Sequence, residues 1–273
     1  MSRNFELLQQ VGKEQDVFAT APARARETEA PEAIPDPLLE PSPAIGPIAA
    51  EPLPAASPVP PGALDKPGIE EVRTLVQRVF LLAGGQAPHV VVFAGTEPGN
   101  GCSWICARTA ESLASQVSGS VCLVDANLRD PGLHQQFEIT NQRGLSEALL
   151  RGEAMSSFVT GLGLPNLSLI TAGAAGEAAH GLLTSNRMRG RLRELRSMFD
   201  YVLVDTSTMN TSNDAIVLGA VSDGAILVLK ANSSRKETAR NALREFQTAR
   251  VRMFGAVLNQ RTFPIPDSIY NKL

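Results

Sequence analysis

Short apolar runs alternate with amphipathic segments from about residue 68 to the end of the chain. Six runs are rich in Val, Ile and Leu at consecutive positions: HVVVFAG, SVCLVDA, LSLITAG, YVLVDT, GAILVLKA and MFGAVLNQ. Consecutive apolar positions are typical of strands that are covered on both faces. The sequence therefore predicts a mostly parallel sheet of about six strands.

The segments between these runs have helical periodicity. CSWICARTAESLASQV, GLSEALLRG, GLLTSNRMRGRLRELRSMF and SRKETARNALREFQTAR are all helical in pattern. Ahead of the first run, one apolar stripe is formed by Ile69, Val72, Leu75, Val76 and Val79. The predicted fold class is therefore α/β: a doubly wound, mostly parallel sheet with helices on both faces.

The N-terminal quarter of the chain has a different composition. Residues 20–67 are dominated by Pro, Ala, Glu and Ser and have no periodic apolar face, which predicts a disordered, partly polyproline-like linker. Residues 1–19 carry apolar side chains near helical spacing, which predicts a short amphipathic helix, with a frayed tail as the alternative. Residues 68–273 are predicted to form the folded domain.

Charge and cysteine content narrow the class of protein. A net charge of −3 gives no sign of a broadly basic surface, so we expect no nucleic-acid partner. The three cysteines lie in or beside apolar runs, and an odd count without a secretory signal favours a reducing, cytoplasmic setting. No apolar run approaches the roughly 20 residues that span a bilayer, so we expect any membrane association to depend on a partner.

A glycine-rich turn, GTEPGNGCSW, follows the first apolar run at residues 95–104. Its glycines let backbone N–H groups converge at a helix N-terminus, which is an anion-binding geometry. A P-loop usually adds a lysine for the outer phosphates and a Ser or Thr for magnesium. Here Ser103 stands at the hydroxyl position and Cys102 at the lysine position. A plain strand-to-helix turn therefore stays an alternative.

Two further runs end in a carboxylate. Asp125 ends the second run, with Asn127 and Arg129 two and four positions on, and Asp205 ends the fourth. Because ligands of such folds bind beyond the carboxyl ends of the strands, we expect both carboxylates to face the glycine loop. They suit a hydrated magnesium ion. The candidate catalytic residues are Asp125 and Asp205, and these two with Ser103 are the candidate metal ligands.

The motifs and their order are similar to those of one known family. Pro-Gly-x-Gly-x-Ser at residues 98–103 resembles its Walker A loop, LVDANLRDPGLH its second acidic motif, and FDYVLVDTSTM its Walker B segment. On these motifs, residues 68–273 resemble the bacterial tyrosine kinase (BY-kinase) branch of the MinD/ParA P-loop ATPases. FGAVLNQ ends at Asn259, the position at which relatives contact the adenine base.

The resemblance implies a P-loop NTPase-like fold that binds ATP or ADP with Mg²⁺. The candidate cofactor-binding residues are Gly99, Asn100, Gly101, Cys102, Ser103, Trp104 and Asn259. The resemblance also implies ring-like self-association through Glu70 and Arg73, a phosphoacceptor at Tyr270, and a role in exopolysaccharide synthesis or export. The implied partner is a membrane-embedded polysaccharide co-polymerase or activator protein, with residues 1–18 as the candidate docking segment.

Four departures from the family pattern bear on catalysis. Cys102 lacks the charge and the reach of the loop lysine, and Asn127 replaces the second acidic residue. Ser207 and Thr208 replace the two prolines after Walker B, and the C-terminal tyrosine cluster is reduced to Tyr270. A cysteine at a helix N-terminus offers at best a thiol of lowered pKa, which would add negative charge to the site.

These departures favour a pseudokinase or weak ATPase with weak nucleotide binding. The first alternative is an active protein-tyrosine autokinase that uses ATP and Mg²⁺. The second is a ParA/MinD-type positioning ATPase, against which the missing signature lysine and the lack of a visible basic stripe count. Arg129 and Lys230 are the candidate cations that could replace the missing charge.

Overall fold

The computed structural model of the protein describes residues 66–82, 87–174 and 181–260. All described residues belong to one compact unit. The predicted N-terminal helix, almost all of the predicted linker and Tyr270 lie outside the described residues.

Helices and strands alternate along the described chain. The strands are β1 (Val90–Gly95), β2 (Val121–Asp125), β3 (Thr160–Gly161), β4 (Leu167–Ile170), β5 (Tyr201–Asp205), β6 (Gly224–Lys230) and β7 (Met253–Asn259). The helices are α1 (Lys66–Val76), α2 (Cys102–Ala114), α3 (Leu133–Gln136), α4 (Leu145–Arg151), α5 (Asn186–Met198), α6 (Asp214–Gly219) and α7 (Lys236–Thr248). A π-helical turn, Gln77–Leu81, continues α1, and a 3₁₀ turn, Met155–Phe158, precedes β3.

The strands form one seven-stranded sheet in the order β3-β4-β2-β5-β1-β6-β7. All neighbouring pairs are parallel except β3 and β4, which are antiparallel. The six predicted strands are present, and the predicted mostly parallel sheet is confirmed. The sequence did not reveal β3, because a strand of two residues at the sheet edge has no apolar run of its own.

Both faces of the sheet are buried, as the consecutive apolar runs predict. All six residues of β1 are buried, and they alternate between two apolar clusters. Val90 and Val92 lie in a cluster that includes residues of α4, α5, α6 and α7, while Val91 and Phe93 lie in a cluster that includes residues of α1 and α2. The doubly wound arrangement of helices on both faces is confirmed.

Among the helices of the described residues, none combines the length and the apolar character that a bilayer crossing requires.

Helix α1 departs from the predicted apolar stripe at one position. Val72, Val76 and Val79 are buried as predicted, but Ile69 is 44% exposed. Ile69 therefore belongs to the apolar stripe but lies outside the part of it that is covered. Periodicity identifies which face of a helix is apolar, but it does not tell where along the helix the surface that covers this face ends.

The start of α4 is fixed against the end of β4. The Gly144 N–H donates to the Glu147 carboxylate at 2.8 Å, and the Leu145 N–H donates to the Thr171 carbonyl at 2.8 Å. A Cβ added at Gly144 would overlap the Thr171 carbonyl oxygen and would lie 2.6 Å from the Gly173 nitrogen. Since both of these atoms belong to the backbone, position 144 has no room for a side chain.

We predict that Gly144→Ala destabilises the protein by about 1–3 kcal/mol, the usual cost of overpacking a rigid site. Gly190→Ala is the matched control, because position 190 lies inside α5 and an added Cβ there meets nothing within 4 Å. Alanine at position 190 should stabilise the helix by about 0.5–1 kcal/mol. The free energy of unfolding from urea titration checks both values, and an unchanged stability of Gly144→Ala would contradict the packing of this junction.

Candidate functional site

The candidate site lies at the carboxyl ends of the three central strands. Strand β5 pairs with β2 on one side and with β1 on the other. Asp125 at the end of β2 is the register partner of Asp205 at the end of β5, and Phe93 of β1 is at the same level. The glycine loop that follows β1 therefore begins directly beside the two carboxylates, as the sequence predicts.

The glycine loop is held in shape by a buried asparagine. Gly99 and Gly101 have φ angles of 74° and 79°, a left-handed conformation that glycine adopts without strain. Between them, the Asn100 side chain donates to the Val228 carbonyl of β6 at 3.0 Å and accepts from the Cys102 N–H at 3.0 Å. Asn100 is only 2% exposed. It thus fastens the loop to the neighbouring strand and occupies one N–H at the start of α2.

The end of β7 contacts the same loop. The Asn259 side chain donates to the Asn100 carbonyl at 2.9 Å, and the Gln260 side chain donates to the Gly99 carbonyl at 3.3 Å. The Gln260 N–H in turn donates to the Asn259 side-chain oxygen at 2.8 Å. The predicted adenine-contacting residue therefore also positions the loop. No pattern in the sequence indicates Gln260, because its contact depends on the distance between β7 and the loop in the folded chain.

The Cys102 thiol is neutral rather than anionic. The side chain is buried at 6% exposure, and burial raises the pKa of the thiol, with a further increase from the neighbouring Asp205. The expectation of a lowered pKa was wrong, because desolvation and a nearby carboxylate outweigh the helix N-terminus. Cys106, one helical turn further, is fully buried, and its pKa is raised in the same way.

Asp125 is fully buried and accepts two backbone hydrogen bonds. The Asn127 N–H donates to one carboxylate oxygen at 3.1 Å, and the Leu133 N–H donates to the other at 3.2 Å. Burial nevertheless raises the pKa of Asp125, and the neighbouring Asp205 raises it further. The backbone donors do not offset the rise in pKa that desolvation and the second acid cause.

Asp205 is fully buried and poorly satisfied. Burial raises the pKa of Asp205 to about 7, although the nearby Ser103 hydroxyl, the Cys102 thiol and the Thr206 N–H each lower it in part. Within residues 66–82, 87–174 and 181–260, neither carboxylate oxygen has a partner in full hydrogen-bond geometry. The carboxylate pair therefore retains a proton up to about neutral pH, or else it requires a cation.

The residues present fit a hydrated magnesium ion better than a preformed metal cage. In the described part of the chain, no three His, Cys, Asp or Glu side chains are arranged to hold a metal ion. Mg²⁺ is usually bound through one or two carboxylates, with water and substrate phosphates completing the shell. The unpaired oxygens of Asp205 and the adjacent Ser103 hydroxyl offer such a partial set of ligands.

Asn127 replaces an acidic residue of the family motif, and its side chain closes the loop after β2. Its amide nitrogen donates to the Asp130 carbonyl at 2.6 Å, and its amide oxygen accepts from the Asp130 N–H at 3.2 Å. Both polar ends of the side chain are thus used in local structure.

A hydroxyl cluster lies in the loop after β5, where the family pattern has prolines. The Ser207 and Ser212 hydroxyls donate to the Asp214 carboxylate at 3.0 and 2.8 Å, and the Arg129 guanidinium lies 3.9 Å from the same oxygen. The sequence reasoning missed this cluster, although a Ser two residues before an Asp is a signal for a local side-chain turn. Because Arg129 lies beside Asp214, part of the charge of this candidate cation is already balanced by that carboxylate.

The remaining predicted site residues lie in different places. Trp104 is half-buried and packs against the cluster beside α2. Lys230 is half-buried at the end of β6. Glu70 and Arg73 are exposed and form an ion pair with each other at 3.3 Å, and self-association through them stays a prediction.

The left-handed glycine loop between β1 and α2, beside acidic ends of two parallel strands, defines a P-loop NTPase-like core. No family model matches the chain. Over 190 residues the chain is 30% identical to the tyrosine-protein kinase YwqD of Bacillus subtilis strain 168, a match that covers 70% of this chain and 80% of YwqD. The chain therefore belongs to the bacterial tyrosine kinase family.

Other relatives match this chain over a smaller part of their own length, or are similar to it in fold alone. The chain is 27% identical over 200 residues to the tyrosine-protein kinase Etk of Escherichia coli K12, which covers 72% of this chain but only 27% of Etk. The solved kinase domain of E. coli Etk has a TM-score of 0.68 at 24% identity, covering 77% of this chain and 84% of that domain. MinD of Pyrococcus horikoshii, solved as a complex with Mg-ADP, has a TM-score of 0.56 at 16% identity. The match covers 67% of this chain and 76% of the MinD chain.

The raised pKa of Asp205 predicts how stability depends on pH. The folded protein keeps a proton on Asp205 up to about pH 7, whereas the unfolded chain loses it near the ordinary value of 3.8. The folded state binds more protons between these values, so this group lowers stability as pH rises through the window, and the loss is complete above it. We predict that Asp205→Asn removes this loss and is more stable than the native protein at pH 8, by roughly 1–3 kcal/mol.

Urea titrations at pH 5 and pH 8 test this prediction. Asp200→Asn is the matched control, because hydrogen bonds from Ser120 lower the pKa of the exposed Asp200, so that it stays ionised at both pH values. The difference in unfolding free energy between pH 5 and pH 8 should shrink only in Asp205→Asn. If the native protein and Asp205→Asn have the same difference in unfolding free energy between pH 5 and pH 8, Asp205 is not protonated in the folded state.

Proposed function

We propose that the chain is a kinase-like, nucleotide-binding regulatory protein with impaired phosphoryl transfer, acting in exopolysaccharide synthesis or export. Membership of the bacterial tyrosine kinase family supports the kinase-like class. One observation carries the proposal: the phosphate loop keeps its backbone shape, while the residue at its lysine position is a buried, neutral thiol.

Retention of the loop supports nucleotide binding. The contacts that hold it come from Asn100, Asn259 and Gln260, and none of them involves the side chain at position 102. Backbone N–H groups at the start of a helix bind phosphate without a lysine, though with less charge. We propose that ATP or ADP binds here weakly, with Mg²⁺ held through Ser103 and Asp205.

Loss of the lysine supports impaired transfer. Catalysis of phosphoryl transfer depends on positioning and on cations that stabilise charge on the transferred group. Removing one preorganised electrostatic contact costs about 2.7–4 kcal/mol of barrier, or about 10²–10³ in rate. Ionisation of either buried carboxylate would make this loss larger, because the pair lies beside the phosphate loop.

An active autokinase is the second candidate, and it is favoured by the retained Asp125, Asp205 and Ser103. Its proposed phosphoacceptor is Tyr270. The two candidates differ in one measurable product, phosphotyrosine.

We predict weak binding of ATP and Mg²⁺ and no phosphotyrosine in the native protein. Cys102→Lys should bind ATP at least tenfold more tightly, because an ammonium beside Asp205 neutralises the carboxylate pair and attracts the phosphates. Isothermal titration with ATP and Mg²⁺ measures binding, and an anti-phosphotyrosine blot measures transfer.

Cys102→Ala is the matched control, because it removes the thiol without adding a charge and should leave ATP binding within about twofold of the native value. Thermal melts establish that each variant is folded. Robust phosphorylation of Tyr270 in the native protein, absent in Tyr270→Phe, would overturn the pseudokinase proposal in favour of the autokinase.

We further propose a membrane-embedded polysaccharide co-polymerase or activator as the partner, with residues 1–18 as the docking segment. Family membership supports this class of partner, and the docking segment lies outside the described residues. Deleting residues 2–18 should abolish co-purification of a co-expressed membrane partner, while Arg240→Ala on α7 should not. Equal recovery with and without the segment would argue against docking through it.

A further inference from the structure

Helix α5 is strongly basic. In 13 residues it carries five arginines and one glutamate. Its buried face is formed by Met188, Leu192 and Leu195. At about 100° per residue, the arginines fall into two groups on either side of this face: Arg187 and Arg191 in one, Arg189, Arg193 and Arg196 in the other.

The first group has a structural role. The Arg187 guanidinium donates to the Leu149 and Leu150 carbonyls at 3.1 and 3.3 Å, and the Arg191 guanidinium donates to the Ala148 carbonyl at 2.7 Å. These are the carbonyls at the end of α4, which lack partners within their own helix. Arg187 and Arg191 are therefore explained by packing of α5 on α4.

In the second group, Arg196 has a structural partner, whereas Arg189 and Arg193 lack one among the described residues. Arg189, Arg193 and Arg196 are spaced by four and three residues, so they form one row along the exposed side of α5. Arg196 pairs with Asp223 at 2.8 Å. Across the described ranges, the side chains of Arg189 and Arg193 make no ion pair and no hydrogen bond. Like charges four residues apart destabilise a helix slightly, and in the described part of the chain no acid compensates Arg189 and Arg193.

The arginine row borders a cleft between α5 and the end of α6. The cleft has a volume of about 360 Å³ and is lined by Arg189, Leu192, Arg193, Arg196, Ala220 and Val221. Three arginines thus line a concave surface whose other lining residues are apolar, and one of them, Arg196, is paired with Asp223.

We propose that this α5–α6 cleft docks an extended, acidic peptide segment of a protein partner. Arg189 and Arg193 lie about 6 Å apart along the helix axis, at 1.5 Å per residue. Alternate side chains of an extended peptide lie about 6.6 Å apart on one face, so carboxylates at every second position match this spacing. The planar guanidinium donates two parallel hydrogen bonds to a carboxylate, which favours arginine for such recognition.

The observations favour a peptide over a membrane or a nucleic acid. Binding to an anionic membrane surface adds exposed apolar side chains to the basic ones. In the described chain the large exposed apolar residues are Ile69, Leu81, Leu82, Leu150 and Leu258, and none of them lines the cleft. A duplex is bound by neutralising many phosphates, whereas the row has three charges in a chain of net charge −3.

Fluorescence anisotropy of the full chain with a labelled peptide of alternating Glu and Ser tests the proposal. The peptide should bind at low salt and should weaken as salt is raised, because its contacts are exposed ion pairs. Arg189→Glu with Arg193→Glu should weaken binding at least tenfold. A peptide of alternating Gln and Ser should not bind.

Arg240→Glu with Arg244→Glu is the matched control. These two arginines are exposed on α7 at the same four-residue spacing, away from the cleft. The control should change binding less than twofold, and thermal melts of both double variants verify folding. Arg189→Gln with Arg193→Gln, which removes the charges without reversing them, should weaken binding by an intermediate factor.

Three results would overturn the proposal. One is no binding of the Glu-Ser peptide to the native chain at 50 mM salt. Another is equal weakening by the α5 and α7 double variants, which would assign binding to overall charge. The third is binding to phosphatidylglycerol vesicles or to a 20-base-pair DNA duplex that the α5 variant abolishes, because the row would then recognise a membrane or nucleic acid.

Discussion

Two carboxylates buried side by side at the ends of β2 and β5 impose the main constraint on this site. The parallel register of the sheet places Asp125 opposite Asp205, and both side chains are fully buried. A desolvated carboxylate is costly, and a second one beside it adds repulsion. Throughout the described residues, no basic side chain lies within 4 Å of either acid. This edge of the sheet therefore requires a proton, a divalent cation or a cation from the glycine loop.

Because the buried acids need a neutralising charge, the cysteine at position 102 affects them as well as the phosphates. A lysine at this position would offset the charge of the phosphates and would also offset the charge of the buried acids. With a neutral thiol, a proton on the carboxylate pair takes over the second role, because burial raises the pKa of both acids. The loop keeps its shape, because Asn100 and Asn259 hold it independently of residue 102. The backbone shape of this loop therefore does not depend on the charge of the side chain at position 102.

Elements that depend on local pattern could be predicted from the sequence. The six longer strands have consecutive apolar residues because both faces of the sheet are covered, and that pattern is visible in a single strand. Strand β3 has no such pattern, because its pairing with Leu169 and Ser168 of β4 defines it. The acidic strand ends were also predictable, since the carboxyl ends of parallel strands meet at one edge.

Contacts between distant segments could not be predicted in this way. Asn100 bonds to Val228, 128 positions away, and Asn259 bonds to Asn100 across 159 positions. The thiol of Cys102 was assigned the wrong pKa direction for the same reason. Its place at a helix N-terminus is local information, whereas its burial beside Asp205 depends on the assembled sheet.

The arginine row of α5 and the glycine loop are connected by contacts through Asp223 and β1, but these contacts do not by themselves make a switch. Asp223 accepts from Arg196 and also from the His89 and Val90 N–H groups, where β1 begins. Strand β1 is held along its length by four register pairs with β5 and five with β6. Displacing Arg196 would remove one of the three hydrogen bonds to Asp223 and none of these register pairs. Contiguity alone does not make two sites coupled.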